Sequence, residues 1–276
     1  MEIPGSVESQ ISEVLSPSIF QGFGKRGAIM YPQGDRGEAY VNEFWRQSKQ
    51  KDIFISDVLQ YEQNKTDYRA PVKKILGLAY KRERKEEFEL LQDVHAQEKK
   101  QTIRRIQTLK PQVNFDWIFI PSLPAESLQI LPSFSYYDAF NLNIIGGPSW
   151  RSQALAKESY KLGKLYFAGD RVERDKTEKF VDSFYDLYQE RPRLIEMRAF
   201  DAFNILSTVL GDKTMEARDE LERELLSTKK LNGLSGTWKL DDQIWLKEMD
   251  LLKLHKGKIE RAFVSEELPE VQDISN

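Results

Sequence analysis

The chain has 276 residues, long enough for one large or two modest domains. Its 41 Lys and Arg nearly balance 44 Asp and Glu, giving a formal net charge of −3, which argues against general nucleic-acid binding. Cysteine is absent, which excludes disulfides, thiolate metal sites and cysteine nucleophiles, and no apolar run approaches the roughly 20 residues needed to span a bilayer.

The N-terminal Met1-Glu2-Ile3-Pro4-Gly5-Ser6 has neither the basic nor the apolar region of a secretory signal. The chain is therefore expected to be cytoplasmic, or else a mature or truncated part of something exported. Residues 7–22 have Val7, Ile11, Val14 and Leu15 at helical spacing and predict one short amphipathic helix. A strand follows at 26–31 and ends in the elbow Pro32-Gln33-Gly34-Asp35-Arg36-Gly37. The next helix, about 36–50, is expected to turn Ala39, Tyr40, Phe44 and Trp45 inward. Ile53 to Leu59 reads as a second strand. Thr66 or Asp67 is placed to cap a helix that presents Val72, Ile75 and Leu76.

Residues 79–110 change character. Lys81-Arg82-Glu83-Arg84-Lys85-Glu86-Glu87 opens a long, charged, helix-favouring stretch that reads as a solvated surface helix or hairpin. Phe115 to Pro121 is the clearest strand. A helix from Ala125 to about Phe140 follows, with Pro132 expected to kink or interrupt it. Strands are expected at 143–146 and 164–168, and a helix from Glu178 to Gln189. Residues 193–210 are apolar on nearly every side, a pattern normally buried on several sides. Met215 to Ser227 reads as a charged amphipathic helix. The chain closes with β-type pieces at 236–240 and 245–254, a Lys256-Gly257 hairpin turn and a strand from Ile259. The acidic end, Glu266 to Asn276, reads as frayed.

Four apolar runs that stop at polar elbows, with helices mostly between them, predict a parallel sheet covered by helices. Ligands bind such sheets at the carboxyl ends of the strands. Tyr31, Asp35, Ser122, Ser149, Trp150 and Asp170 stand at those ends and are the candidate ligand-binding residues. Trp150 is placed either to stack on a ligand or to cover the sheet edge. No catalytic set is visible. His95 and His255 have no nucleophile or metal-ligand partner nearby in sequence, and no Gly-x-Ser-x-Gly elbow is present. Gly22-Phe23-Gly24 and Gly34-Asp35-Arg36-Gly37 match no phosphate-binding pattern. Asp241-Asp242-Gln243 reads as a turn rather than an acid pair. No cofactor and no metal are expected.

The segments Arg26 to Gly37, Ile53 to Tyr61 and Thr66 to Val72 resemble the second lobe of type I periplasmic binding proteins, the group of the leucine/isoleucine/valine-binding proteins. Phe115 to Pro121, Tyr136-Tyr137-Asp138, Ile144 to Trp150, Arg198-Ala199-Phe200-Asp201-Ala202 and Leu234 to Asp241 resemble the branch of lipoprotein activators of penicillin-binding proteins. The resemblance runs from about residue 7 to 262. It implies a three-layer α/β/α sandwich with a mainly parallel sheet, represented mainly by its second lobe.

In those terms, residues 1–22 are a helix or hinge. Residues 23–192 are the α/β lobe, with the charged insertion at 79–110. Residues 193–230 are helices that would pack on a first lobe, and the all-round apolarity of 193–210 is explained by that missing partner. Residues 231–265 are a β-rich return, and 266–276 a flexible tail. The resemblance implies a non-enzymatic cell-envelope or periplasmic protein that contacts a penicillin-binding protein. The alternative is a receptor component of an ABC transporter for amino acids or similar small polar ligands, with a transporter subunit as partner.

Overall fold

The computed structural model describes residues 1–80, 82–87, 89–90, 109–172, 174–211 and 218–262. Most of the expected charged helix at 79–110, the start of the helix expected from Met215, and the tail beyond 262 lie outside these residues.

Five strands run parallel: β1 (Arg26–Pro32), β2 (Phe54–Tyr61), β3 (Trp117–Ile120), β4 (Asn143–Gly146) and β5 (Lys164–Asp170). They stand in the order β2-β1-β3-β4-β5. The sheet is extended to seven strands by β9 (Met249–His255), antiparallel to β5, and β10 (Lys258–Arg261), antiparallel to β9. A separate antiparallel sheet holds β6 (Lys230–Asn232), β7 (Thr237–Asp241) and β8 (Ile244–Lys247).

Strand alternation sends successive side chains to opposite faces. Ala28, Met30, Ile118, Ile120, Ile144, Leu165, Phe167, Leu252 and Leu254 bury on one face. There they meet Val72 and Ile75 of α4 (Arg69–Ile75), Ile130 and Phe134 of α5 (Pro124–Tyr136), and Leu155 and Leu162 of α6 (Gln153–Leu162). Ile29, Trp117, Phe119, Ile145, Tyr166, Met249 and Leu251 bury on the other. Their partners are Ile11 and Val14 of α1 (Val7–Val14), Ile19 of α2 (Pro17–Gly22), and Tyr40, Val41 and Phe44 of α3 (Asp35–Gln50). The α/β three-layer expectation therefore holds.

Several local expectations change. The single helix expected at 7–22 is two. Pro17 lacks an amide hydrogen, so it sits at the first position of α2 and α1 ends before it. On α3, Ala39 and Trp45 face solvent, while Val41, Gln47 and Ser48 are buried. Pro132 lies inside a continuous α5. The apolar run 245–254 divides at Glu248 between the two sheets, because Lys247 ends β8 with its side chain buried and β9 then joins β5. The turns at Asp242-Gln243 and Lys256-Gly257 have positive φ at both central residues, the geometry of a two-residue hairpin.

Helices α7 (Arg174–Tyr188), α8 (Leu194–Leu210) and α9 (Arg218–Ser227) depart from the main sandwich. Ile205 and Val209 of α8 pack on Leu231, Trp238 and Trp245 of the small sheet. Phe200 meets Phe180 of α7 at 4.8 Å between ring centroids. Much of the remaining apolar surface is open: Phe203 is 73% exposed and Leu187 76%.

Candidate functional site

The strand order changes direction between β1 and β3, whose following chains leave toward opposite sides. The crevice at that switch, outside the carboxyl ends of the strands, is where an open parallel sheet receives a ligand. Here β1 runs into Gln33 and Gly34. Gly34 has φ 97°, a left-handed conformation that glycine adopts without strain, and it starts α3 with no side-chain cap. Gly37 is required one turn on, because a Cβ there would stand 1.7 Å from the Pro32 carbonyl oxygen. The Arg36 guanidinium donates to the Pro121 carbonyl at 2.8 Å and so ties the loop after β1 to the loop after β3.

The loop after β4 closes on the same place. Ser149 Oγ and Trp150 Nε1 each donate to the Ser122 carbonyl, both at 3.1 Å. Ser122 and Ser127 hydroxyls pair at 2.7 Å, and the Ser127 hydroxyl also reaches the Leu123 carbonyl. Trp150 is fully buried, and its ring lies where a Cβ on Gly146 would come within 2.0 Å of it. In this conformation it covers the sheet and offers no free face. Ser122 is also buried, Tyr31 and Ser149 are half-buried, and Asp35 is exposed on the first turn of α3. The elbows of β1, β3 and β4 thus converge, with Ser122, Ser149 and Trp150 in direct contact.

Asp170, at the end of β5, belongs to a different arrangement. Its Oδ2 accepts from Arg198 Nε at 2.9 Å, and its Oδ1 lies 3.1 Å from Lys247 Nζ. The side chains of Asp170 and Lys247 are completely buried. Lys247 Nζ also donates to the Ile3 carbonyl at 2.9 Å and to Ser235 Oγ at 3.2 Å, and it stands 4.8 Å from the Trp238 ring centre. Burial pushes the Lys247 ammonium below its usual range, and the Asp170 carboxylate opposes that. Asp201 completes the network by accepting from the amides of Leu234 and Ser235 and from the Ser235 hydroxyl. Arg151 donates to the Asp170 carbonyl at 3.1 Å, and burial lowers its pKa as well.

Sequence reasoning placed Asp170 at the edge but missed its cationic partners and Arg36 and Arg151. Arg151 and Arg36 lie in the same elbows as the chosen residues. Arg198, Asp201 and Ser235 lie in the stretches that carry the family resemblance. Lys247 left no signal, since a lysine in an alternating β segment reads as surface.

Beyond β5, a groove of about 510 Å³ opens between α1 and β7–β8, lined by Ser9, Ser12, Glu13, Arg171, Lys239 and Glu248 among others. Glu13 carries a carboxyl raised from 4.5 to about 7, first by burial and then by the nearby Asp250 carboxylate, with Arg171 opposing. Arg171 pairs with Asp250 at 2.7 Å. His255 is exposed at the end of β9, one residue past the Leu165–Leu254 pairing and so at the opposite edge from Ser122. Among the described residues, no group of three or more His, Asp or Glu side chains is placed to hold a metal, and no helix is long and apolar enough to cross a membrane.

No family model matches the chain, and no curated protein matches it. Its structure matches part of the type I periplasmic binding protein fold. The leucine-binding protein LivK of Thermotoga maritima matches with a TM-score of 0.61 at 15% identity, over 93% of this chain and 65% of that one. An ABC transporter substrate-binding protein of Desulfitobacterium hafniense, in complex with Leu, gives 0.60 at 17% identity, over 93% and 65%. LpoA of Haemophilus influenzae gives 0.54 at 14% identity, over 94% of this chain and 40% of that one. The chain therefore spans about 65% of the length of the two binding proteins. At these identities the likeness is one of fold, and the fold is that of non-enzymatic binding proteins. Most of these neighbours are ABC transporter binding proteins. One of them is LpoA, and the activator branch is not singled out.

Proposed function

We propose that this chain is the binding lobe of a solute receptor of the ABC-transporter kind, working in the cell envelope and without catalysis. The observation that carries this reading is the joining of the β1, β3 and β4 elbows at the switch point by Arg36, Ser149 and Trp150, through the Pro121 and Ser122 carbonyls. That construction fixes backbone and hydroxyl groups at one edge of a rigid sheet, which suits orientation of a small polar ligand. Tyr31, Asp35 and Ser149 form one wall of the site, and the buried Ser122 and Trp150 support it from below. The opposite wall comes from a further lobe, onto which the apolar face of α7 and α8 packs. The synthase-activator alternative rests mainly on residues 79–110, most of which lie outside the described residues.

A thermal-shift screen of the full chain against amino acids, small amines, small carboxylates and neutral polyols tests the proposal. A ligand at a hundred times its Kd stabilises the native state by about 2.7 kcal/mol. We expect one chemical class to raise Tm in proportion to the logarithm of its concentration. A flat response to every class contradicts the reading.

A further inference from the structure

We infer that the edge of the large sheet opposite the strand ends is a docking surface for an anionic phospholipid bilayer. The inference goes beyond the solute-binding reading and uses none of the residues of that site.

The strand registers define this edge. Phe54 pairs with Arg26, Gly27 with Trp117, Asn143 with both Trp117 and Lys164, and Lys258 with His255. Leu165 pairs with Leu254, so Lys164 and His255 are neighbours as well. The five parallel strands therefore begin, and the β9–β10 hairpin turns, along one line. Lys25 joins that line through its carbonyl, which accepts from the Phe54 amide. From Lys25 to Lys258 the line crosses the spacings between β1, β3, β4, β5, β9 and β10, about 24 Å in all.

Its charges are one-sided. Lys25, Lys164, Lys256 and Lys258 are exposed, and none has an ion-pair partner within 4 Å among the described residues. Of the acids nearby, Asp116 is taken by Arg26 at 2.6 Å and Glu158 by Lys161 at 3.1 Å, while Asp52 and Asp138 stand exposed in turns. At the other end of β5 the cations are satisfied from within: Arg171, Arg198 and Lys247 each meet a carboxylate. The chain has a net charge of −3, so free lysines gathered on one edge run against its overall balance.

Aromatic side chains stand among these lysines. Phe54 is 63% exposed and Tyr160 66%, and Phe140 is exposed too. Phe140 lies against the residue before Lys164, since a Cβ on Gly163 would come within 3.3 Å of the Phe140 carbonyl oxygen. The Lys161 ammonium stands 4.9 Å from the Tyr160 ring centre. Lysines set among exposed aromatics suit a bilayer surface. The ammonium groups meet lipid phosphates, and the rings settle at headgroup level. An acidic polypeptide would satisfy the lysines but offers no continuous apolar layer for Phe54, Phe140 and Tyr160.

The test is co-sedimentation of the full chain with vesicles of phosphatidylcholine alone, or with roughly one third phosphatidylglycerol. We expect binding to the anionic vesicles only, weakening at least tenfold between about 0.05 and about 0.3 M salt as the surface charge is screened. Each lysine near such a surface contributes about fivefold, so Lys164→Gln, Lys256→Gln and Lys258→Gln together should weaken binding about a hundredfold. Phe54→Ser with Tyr160→Ser should weaken it at least threefold. Circular dichroism checks folding. Should the triple variant not fold, Lys256→Glu in the β9–β10 turn makes the same test, with an expected loss of about twentyfold.

Failure to bind anionic vesicles at low salt, or an affinity that ignores either set of substitutions, overturns the inference. Tighter binding to polyglutamate-free neutral vesicles than to anionic ones does so too. None of these results bears on the solute-binding reading, whose thermal-shift screen is run without lipid.

Discussion

Asp170 and Lys247 form an ion pair buried at the end of β5. Both side chains are wholly buried, so neither charge has water to fall back on. Removing one member of such a pair strands the other and typically costs about 3–5 kcal/mol. Asp170→Asn should therefore lower stability by that amount in urea denaturation, whereas a pair that contributes nothing would leave the midpoint unmoved.

Glu13 offers a test through pH. Its carboxyl holds a proton up to about pH 7 in the native chain and releases it near 4.5 when ordinary hydration returns. Between those values the native state binds more protons than the unfolded state. Stability due to this group therefore falls as pH rises from about 4.5 to about 7, and levels off above. The full effect is roughly 3 kcal/mol. Glu13→Gln should flatten that slope and raise stability at alkaline pH. Equal pH profiles for the two proteins would remove Glu13 as the cause.

At the scale of elements, β1, β3, β4 and β5 were legible because both their faces are buried, which leaves apolar runs that stop at Gly- or Pro-containing elbows. The turn at Lys256-Gly257 was legible for the same kind of reason, a local requirement on φ. The break between α1 and α2 was written in Pro17 but overridden by the apolar spacing around it. The outward Trp45 and inward Gln47 were not legible. They depend on where α3 meets α1, and Gln47 is drawn inward by the Glu8 carbonyl, to which it donates at 2.9 Å. The site divides similarly. Ser122 and Ser149 follow from strand ends. The pairing of Asp170 with Lys247 joins residues far apart in the chain, and nothing local announces it.

The β7–β8 turn carries a local cost that can be measured. Gln243 has φ 66°, a left-handed conformation that disfavours a side chain. Gln243→Gly should raise stability by about 1 kcal/mol if strain relief outweighs the added freedom of the unfolded chain. A loss of stability on thermal unfolding would show that the unfolded-state term dominates.

For the whole molecule, the outer face of α7 and α8 carries large apolar side chains in contact with solvent. Phe203 and Leu187 stand on it nearly free of the core. The double variant Leu187→Lys, Phe203→Lys should change folding stability by no more than about 0.5 kcal/mol, the usual range for exposed positions. It should also reduce concentration-dependent self-association in sedimentation velocity, as expected when a large apolar patch is broken. A strongly destabilised variant would mean that the two side chains support this fold directly.

The central claim is that a solute binds where the parallel strands end at the β1–β3 switch, and the most direct measurement is a backbone amide NMR titration with the solute that stabilises the chain most. The account predicts shift changes concentrated at Gly34, Ser122, Ser149 and Arg151. Changes confined to Ser9, Ser12, Glu13 and Leu240, around the groove beside α1, would place binding elsewhere and contradict it.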